Sequence, residues 1–548
     1  MKMGKNKKQA FTIVELLVVI VVIGILAAIT IVSYSGIQNK AIGANLRTDL
    51  VSDSKQLKMY NVEYGHYPSS IDTNYCPATP EPDTRYCLKA MNGAKLSYVG
   101  GGQAFTLFDK HTATGITYKI SEGSEPVISV LPASFVNIYE SSASTSNWTD
   151  SAAAVDITDD DGYVVTGKYS SQGTQNLFAK FGSDNNISSA KSWSIPNANS
   201  MNSIKKTTDG GVIISGRAGS STTSYPFLAK FSSTNQLSWT SLWSTSTAGD
   251  AKEVIQTSDG GYVVTGDTGA DVFISKFSID GILSWTKKYN FAGNDYGNAI
   301  VQTSDGGYAV TGYTDQSGGP FGLILKTDLG GNISWSKTWR NNDVTIISEN
   351  GQDIVQAADG GYAIVGRMSL SGKAESSILK FASDGSYQWH DYLSSGTNVS
   401  MNKIIQASDG NYVISGVLVD SAKSTTTSDI AIAKFSSAGA KLWSQSYGES
   451  SLSEGAAGLA QTADGGYMIV GQVTSGTKTR LLAMKYKSDG TINNCSSPAC
   501  KSDLVSLAGQ AIRFPVTTPV ATSQSYTTTN NTYTVNTAAL TRISGINP

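Results

Sequence analysis

A short unit, best seen as TSDGGYVVTG at 257–266 and TSDGGYAVTG at 303–312, recurs seven times along the 548-residue chain and constrains its fold more than any other feature. Its Asp falls at Asp161, Asp209, Asp259, Asp305, Asp359, Asp409 and Asp464, a spacing of about fifty residues. Each unit has an alternating apolar run before the Asp and another after it, a third around segments such as FISKF at 273–277, and a fourth opening with Trp. That pattern predicts four antiparallel strands per unit. Asp-Gly-Gly between two such runs reads as a tight hairpin turn, because Gly takes the positive φ that such turns demand. Lys230, Lys276, Lys326, Lys380 and Lys434 are each followed nine residues later by Trp239, Trp285, Trp335, Trp389 and Trp443, and Lys180 and Trp193 keep the order with a longer gap. The seventh unit has Lys485 but Asn494 where Trp is due, so its fourth strand is missing. FVNIYE at 135–140 aligns with WTKKYN at 285–290, Phe135 standing for Trp285 and Tyr139 for Tyr289, and predicts the replacement.

A strand from before the first repeat that completes the last one closes a ring and removes its free sheet edges. Residues 129–495 are therefore expected to form a seven-bladed β-propeller, and from about 133 they resemble bacterial propellers built on T-x-D-G-G-Y repeats. Seven equivalent copies of Asp and Lys argue for a structural pair rather than one active site. DITDDDGY at 156–163 brings Asp156, Asp159, Asp160 and Asp161 together as a calcium candidate, but EF-hand spacing is absent and acidic decoration of a turn is favoured. The long, irregular connections are Arg340 to Gly351 and Val417 to Asp429. Strand order sends both to one end of the ring, where unequal loops on a rigid scaffold are candidates for recognition.

Residues Phe11 to Ile31 read FTIVELLVVIVVIGILAAITI, twenty-one positions with one charge. At ~1.5 Å per residue a helix of that length crosses a hydrocarbon core of ~30 Å. Lys2, Lys5, Lys7 and Lys8 precede it and place the N-terminus in the cytoplasm, so everything after residue 34 lies outside. The sequence KNKKQA before FTIVELLVVIVVIGILAAI resembles the processing signal of type IV prepilins and pseudopilins. The resemblance implies cleavage between Ala10 and Phe11 by prepilin peptidase, N-terminal methylation, and pairing of Glu15 with the terminal amine of a neighbouring pilin subunit during assembly. Ala10 stands where the family has Gly, and Val32 where it has a helix-kinking Pro. A carboxylate in lipid is in any case a functional candidate. The stretch from Tyr34 to about Tyr64, followed by GHYPSS, resembles the end of the long pilin helix and its exit into a small head at 35–128, with strands expected at 104–109 and 116–120.

The fold class is thus multidomain: an α+β pilin-like part and an all-β ring, followed by a Ser/Thr-rich tail at 496–548 read as extended strands or an ordered tail. Cys76 with Cys87 and Cys495 with Cys500 are close pairs, read as disulfides in an oxidising compartment. His66, His111 and His390 lie near neither pair, so zinc is not expected. A net charge of −2, or −6 once the basic leader is removed, leaves no nucleic-acid footprint. No G-x-S-x-G or H-E-x-x-H constellation appears, and neither an enzyme nor a cofactor is expected. The reading is a single-pass inner-membrane precursor that becomes a minor, tip-located subunit of a surface pilus and presents the ring to a receptor or glycan. The alternatives are a type II secretion pseudopilin that selects cargo and a tethered carbohydrate-active enzyme.

Overall fold

The computed structural model describes residues 42–492, short stretches between strands excepted, and the paired strands found between residues 500 and 542. The chain divides into two compact units, Met1–Ser129 and Val130–Pro548.

In the first unit a helix over 42–64 carries Leu46, Leu50, Asp53, Leu57 and Tyr60 on one buried stripe. Their spacing of three and four residues is the helical repeat. Gly65 ends it at φ 79°, its amide bonding the Asn61 carbonyl at 2.8 Å. The stripe packs on a four-stranded antiparallel sheet of sequential strands, Ala94–Gly101, Ala104–His111, Thr117–Ser121 and Val127–Ile128, through Leu96, Phe105, Leu107 and Ile120. The last three strands include the two expected runs. The first was not foreseen, because AKLSYVGG ends in glycines that mask its alternation. Cys76 and Cys87 form a disulfide across the loop that follows the helix.

The second unit contains seven antiparallel sheets, each built from four strands in up-and-down order. The third is typical: Asp250–Gln256, Tyr262–Asp267, Val272–Phe277 and Leu283–Asn290. The seventh takes Ser453–Gln461, Tyr467–Ser475 and Lys478–Tyr486 from its own repeat and Phe135–Ser141 as its fourth strand. Phe135 pairs with Lys485 as Trp285 pairs with Lys276. The Tyr139 hydroxyl donates to the Asn185 carbonyl of the first sheet, as that of Tyr289 donates to Gly331 of the fourth. The expected alignment of 135–140 on 285–290 therefore holds residue by residue. First strands touch in succession, and that of the seventh sheet, Ser453–Gln461, touches that of the first, Ser151–Ile157.

Two devices join neighbouring sheets. Trp239, Trp285, Trp335, Trp389 and Trp443 each lie beneath the third turn of the next sheet, against Gly281, Gly331, Gly385, Gly439 and Gly490. Gly331 has φ 75°, and a Cβ there would stand 2.8 Å from the Trp285 ring. Gly331→Ala combines backbone strain with overpacking, and urea unfolding should show a loss of about 2–3 kcal/mol. The second device is a glutamine three residues before the turn Asp. Gln256, Gln302, Gln356, Gln406 and Gln461 each accept the amide of Thr208, Ser258, Ser304, Ala358 and Ser408 in the preceding sheet, at 2.7–2.9 Å. Each also donates to a carbonyl in its own turn, as Gln256 does to Gly260. In the second sheet Lys206 takes this place and reaches Asp159 at 2.7 Å. In the first, counted from Asp160, which pairs with Lys180 there, it is Ile157, so the seam between the seventh and first sheets lacks the clip.

The tail adds a fifth strand to every sheet. Cys500–Lys501 pairs with the fourth strand of the sixth sheet, Val505–Ser506 with the fifth, Ile512–Arg513 with the fourth, Val520–Gln524 with the third, Thr528–Thr529 with the second and Val535–Thr537 with the first. Leu540–Arg542 then pairs with Phe135–Ser141 of the seventh. Every pairing is antiparallel and engages the last residues of the fourth strand, so the tail runs backwards around the rim at one end of the sheets.

Candidate functional site

The residues read as processing and assembly sites, Ala10, Phe11 and Glu15, lie outside the described residues, as does Cys495 with the bridge expected to Cys500. Among the described residues no helix is long and apolar enough to cross a membrane, and no group of His, Cys, Asp or Glu is arranged to hold a metal ion.

The repeated Asp and Lys come together in all seven sheets. Their Nζ to carboxylate distances run from 2.5 Å for Lys485–Asp464 to 3.2 Å for Lys180–Asp160. In the third sheet Asp259 also accepts the Thr257 hydroxyl at 2.5 Å and the Gly261 amide at 3.0 Å. Gly260 takes φ 82°, and a Cβ on Gly261 would lie 2.4 Å from the Phe277 carbonyl oxygen, so the two glycines have different reasons. Burial works against the charge of Asp259, but the bonds from Thr257, Lys276 and Gly261 outweigh it and hold the carboxyl at about 2. The Asp–Lys pair fixes a turn, as the sequence suggested.

Two assignments in the first repeat are corrected. Asp160, not Asp161, pairs with the lysine, and Asp161 takes the first glycine's place at φ 56°. An added acid in DITDDDGY hides that register. Ser189, not Trp193, stands opposite Lys180, and Trp193 holds the position of Tyr289. Three of the four acids of this segment are spent on protein partners. Asp156 accepts the Ile157 and Lys206 amides, Asp159 takes the Lys206 ammonium, and Asp160 takes Lys180.

Both irregular connections are shorter than expected. Arg340 and Asn341 end one strand and Ile346–Gln356 is the next, while Val417–Val419 and Ser428–Asp429 belong to Tyr412–Val419 and Ser428–Phe435. What remains, 342–345 and 420–426, lies outside the described residues; the strand ends that flank both, Asn341 and Ile346, and Val419 and Ser428, are at the end of the sheets where the tail pairs. Phe135 begins its strand beside Lys485, at the opposite end, where the Asp-Gly-Gly turns lie.

The first strands enclose a shaft of about 320 Å³ that the sequence reading missed. At six and four residues before the turn Asp, most repeats place small or aliphatic residues there, such as Gly458, Val301, Val355 and Ile405. Lys205, Glu253, Asp353 and Lys403 break that rule and line the shaft. Lys205 is 3.2 Å from Glu253, whose other oxygen accepts the Ile300 amide at 2.9 Å. Asp353 accepts the Ile354 and Ile404 amides, both at 3.0 Å. Burial opposes the charge of Lys205, yet Glu253, Asp156 and Asp353 raise its pKa above the lysine value. Burial, with Glu253 nearby and against the pull of Lys403, pushes Asp353 up. Aligning the repeats and searching for departures, rather than for agreement, would have found this set.

The amino-terminal part of the chain is type IV pilin-like: residues 5–31 match the family described as the prokaryotic N-terminal methylation motif. It is homologous to the type II secretion system core protein G, 34% identical to that of Aeromonas hydrophila over 85 residues, which is 15% of this chain and 59% of that protein. The counterpart from Escherichia coli (strain K12) is 35% identical over 65 residues, 12% of this chain and 45% of its own. The chain thus spans about half the length of the curated relatives it matches. Among solved structures, Sqt1 from Chaetomium thermophilum aligns with 65% of this chain and 99% of its own at 10% identity and a TM-score of 0.36.

Proposed function

We propose that the seven sheets are the blades of a closed propeller, borne outside the cytoplasm by a minor pilin-like subunit at a filament tip, and that this propeller binds a surface receptor or glycan. The observation that carries the reading is a methylation motif at 5–31 on the same chain as a cycle of seven sheets. Filament helices pack about 8–10 Å apart, whereas a domain of the second unit's size has a radius of gyration of roughly 20 Å. A shaft bearing one such domain on every subunit would be overcrowded; a tip has room. The irregular connections, Arg340 to Gly351 and Val417 to Asp429, are the proposed binding surface. Immunogold labelling with antibodies to residues 130–500 should mark filament ends; even decoration of the shaft would sink the reading.

In this reading the precursor is an inner-membrane single-pass protein, cut before Phe11 by prepilin peptidase, whose apolar helix later packs among other pilin subunits. Glu15→Val should leave cleavage intact and lower incorporation into filaments by roughly tenfold, the equivalent of about 1.4 kcal/mol for an amine left without its partner. Quantifying the subunit in sheared filaments against whole-cell levels checks this. The homology to core protein G favours a second reading, a pseudopilin whose propeller selects cargo within the envelope. Protease accessibility of the second unit on intact cells separates the two. No catalytic step is part of either, and turnover in a glycan-degradation screen would overturn that.

A further inference from the structure

In a repeat protein the residues that build the fold recur, and those that depart from the repeat are free to serve something else. The shaft concentrates such departures. Lys205 belongs to the second sheet, Glu253 to the third, Asp353 to the fifth and Lys403 to the sixth, among walls of Val155, Ile255, Val301 and Ile405. Placing ions in an apolar shaft carries a desolvation cost that pairing offsets only in part, so the pairs are poor stabilisers. The lysines do not satisfy the set. Lys403 has its nearest carboxylate oxygen, on Asp353, at 4.0 Å, and among the described residues its ammonium makes no hydrogen bond although it is only 28% exposed. Lys205 is already paired with Glu253 at 3.2 Å, and the lining as a whole carries two lysines and two carboxylates.

We propose that the shaft binds a small zwitterion, its carboxylate on Lys403 and its ammonium toward Glu253 and Asp353. A simple anion on Lys403 would bring its charge against Asp353 and Glu253. A simple cation would leave the Lys403 ammonium unsatisfied. Only a ligand carrying both charges, with a short aliphatic body against the Val and Ile walls, answers each group. A volume of about 320 Å³ is enough for an amino acid or an amino sugar acid. The inference rests on the cycle of seven sheets and does not depend on where the subunit sits in a filament or what its loops bind.

The test is calorimetric titration of the full chain in detergent micelles with ω-amino acids from glycine to 6-aminohexanoate, beside the matched carboxylates and amines. One ω-amino acid should bind at least about tenfold more tightly than its matched carboxylate and amine. Lys403→Met should remove that binding while leaving the melting temperature of the unliganded protein unchanged or higher. The double variant Lys205→Met/Glu253→Met should do the same. Equal binding of all three probe classes, or no binding at millimolar concentration, overturns the proposal. So does a Lys403→Met protein that melts lower without ligand, because the charges would then serve the fold.

Discussion

Asp109→Asn should stabilise the first unit by about 2–3 kcal/mol at pH 8 and have little effect at pH 4. Asp109 is fully buried on the strand Ala104–His111, and neither carboxylate oxygen has a hydrogen-bond partner. Asp53, on the buried stripe of the helix, has one oxygen on the Lys89 amide at 3.0 Å and the other unpartnered. Burial first, then the negative charges of Asp49 and Asp53, raises Asp109 to about 7. Burial raises Asp53 to about 7 as well, against the Lys89 amide. A carboxyl whose pKa is higher folded than unfolded contributes stability that is complete below the unfolded value, about 4, and is lost as pH rises through about 7. The neutral amide removes that loss, less a smaller cost for its own unsatisfied group. All nine tryptophans lie beyond residue 147, so their fluorescence reports the second unit while hydrogen exchange over 94–121 reports the first. An Asp109→Asn protein with unchanged exchange at pH 8 would contradict this account.

Asp464→Ala should cost the second unit about 3 kcal/mol, whereas Lys485→Met should be nearly neutral. The asymmetry arises because Lys485 is fully buried while Asp464 retains 29% of its side-chain surface. Removing the acid leaves an ammonium in the core; removing the lysine leaves a carboxylate that can reach water. Lys485 also faces Phe135, so the damage falls on the strand that completes the seventh sheet. Tryptophan-monitored urea unfolding of both variants checks the order, and equal losses would contradict it. The same turns set the acid response. Asp259 and Asp305 are held at about 2, so the stability they contribute is present above about 4 and is lost as pH falls through about 2. The two units therefore respond to pH in opposite directions.

What could be read from the residues was whatever local chemistry repeats. Asp-Gly-Gly demands a turn, Lys-to-Trp spacing sets a strand pair, and the match of Phe135 and Tyr139 to Trp285 and Tyr289 exposed the closing strand. Where the local pattern stuttered, the reading slipped. Three acids in a row concealed that Asp160 rather than Asp161 is the repeat residue, and Trp193 drew attention from Ser189. Long-range partners were beyond reach. Gln256 and its equivalents recur plainly enough, yet nothing near them in the chain says that they bind the turn of the preceding sheet. Charges in the shaft are scattered over four repeats and converge only when the strands do. The Ser/Thr-rich composition of the tail indicates extended chain and is silent on which edges it meets.

The route of that tail has a bearing on how the protein is made. It travels from the sixth sheet back to the first and finishes, at Leu540–Arg542, against Ser141, Glu140 and Tyr139. The strand it seals is the earliest of the second unit to leave the ribosome and the last to gain both neighbours. Until synthesis reaches Leu540–Arg542, Phe135–Ser141 keeps an open edge. A chain cut short by premature termination or by a protease is left with that edge unguarded, which gives a quality-control protease a local mark by which to tell a finished subunit from an unfinished one.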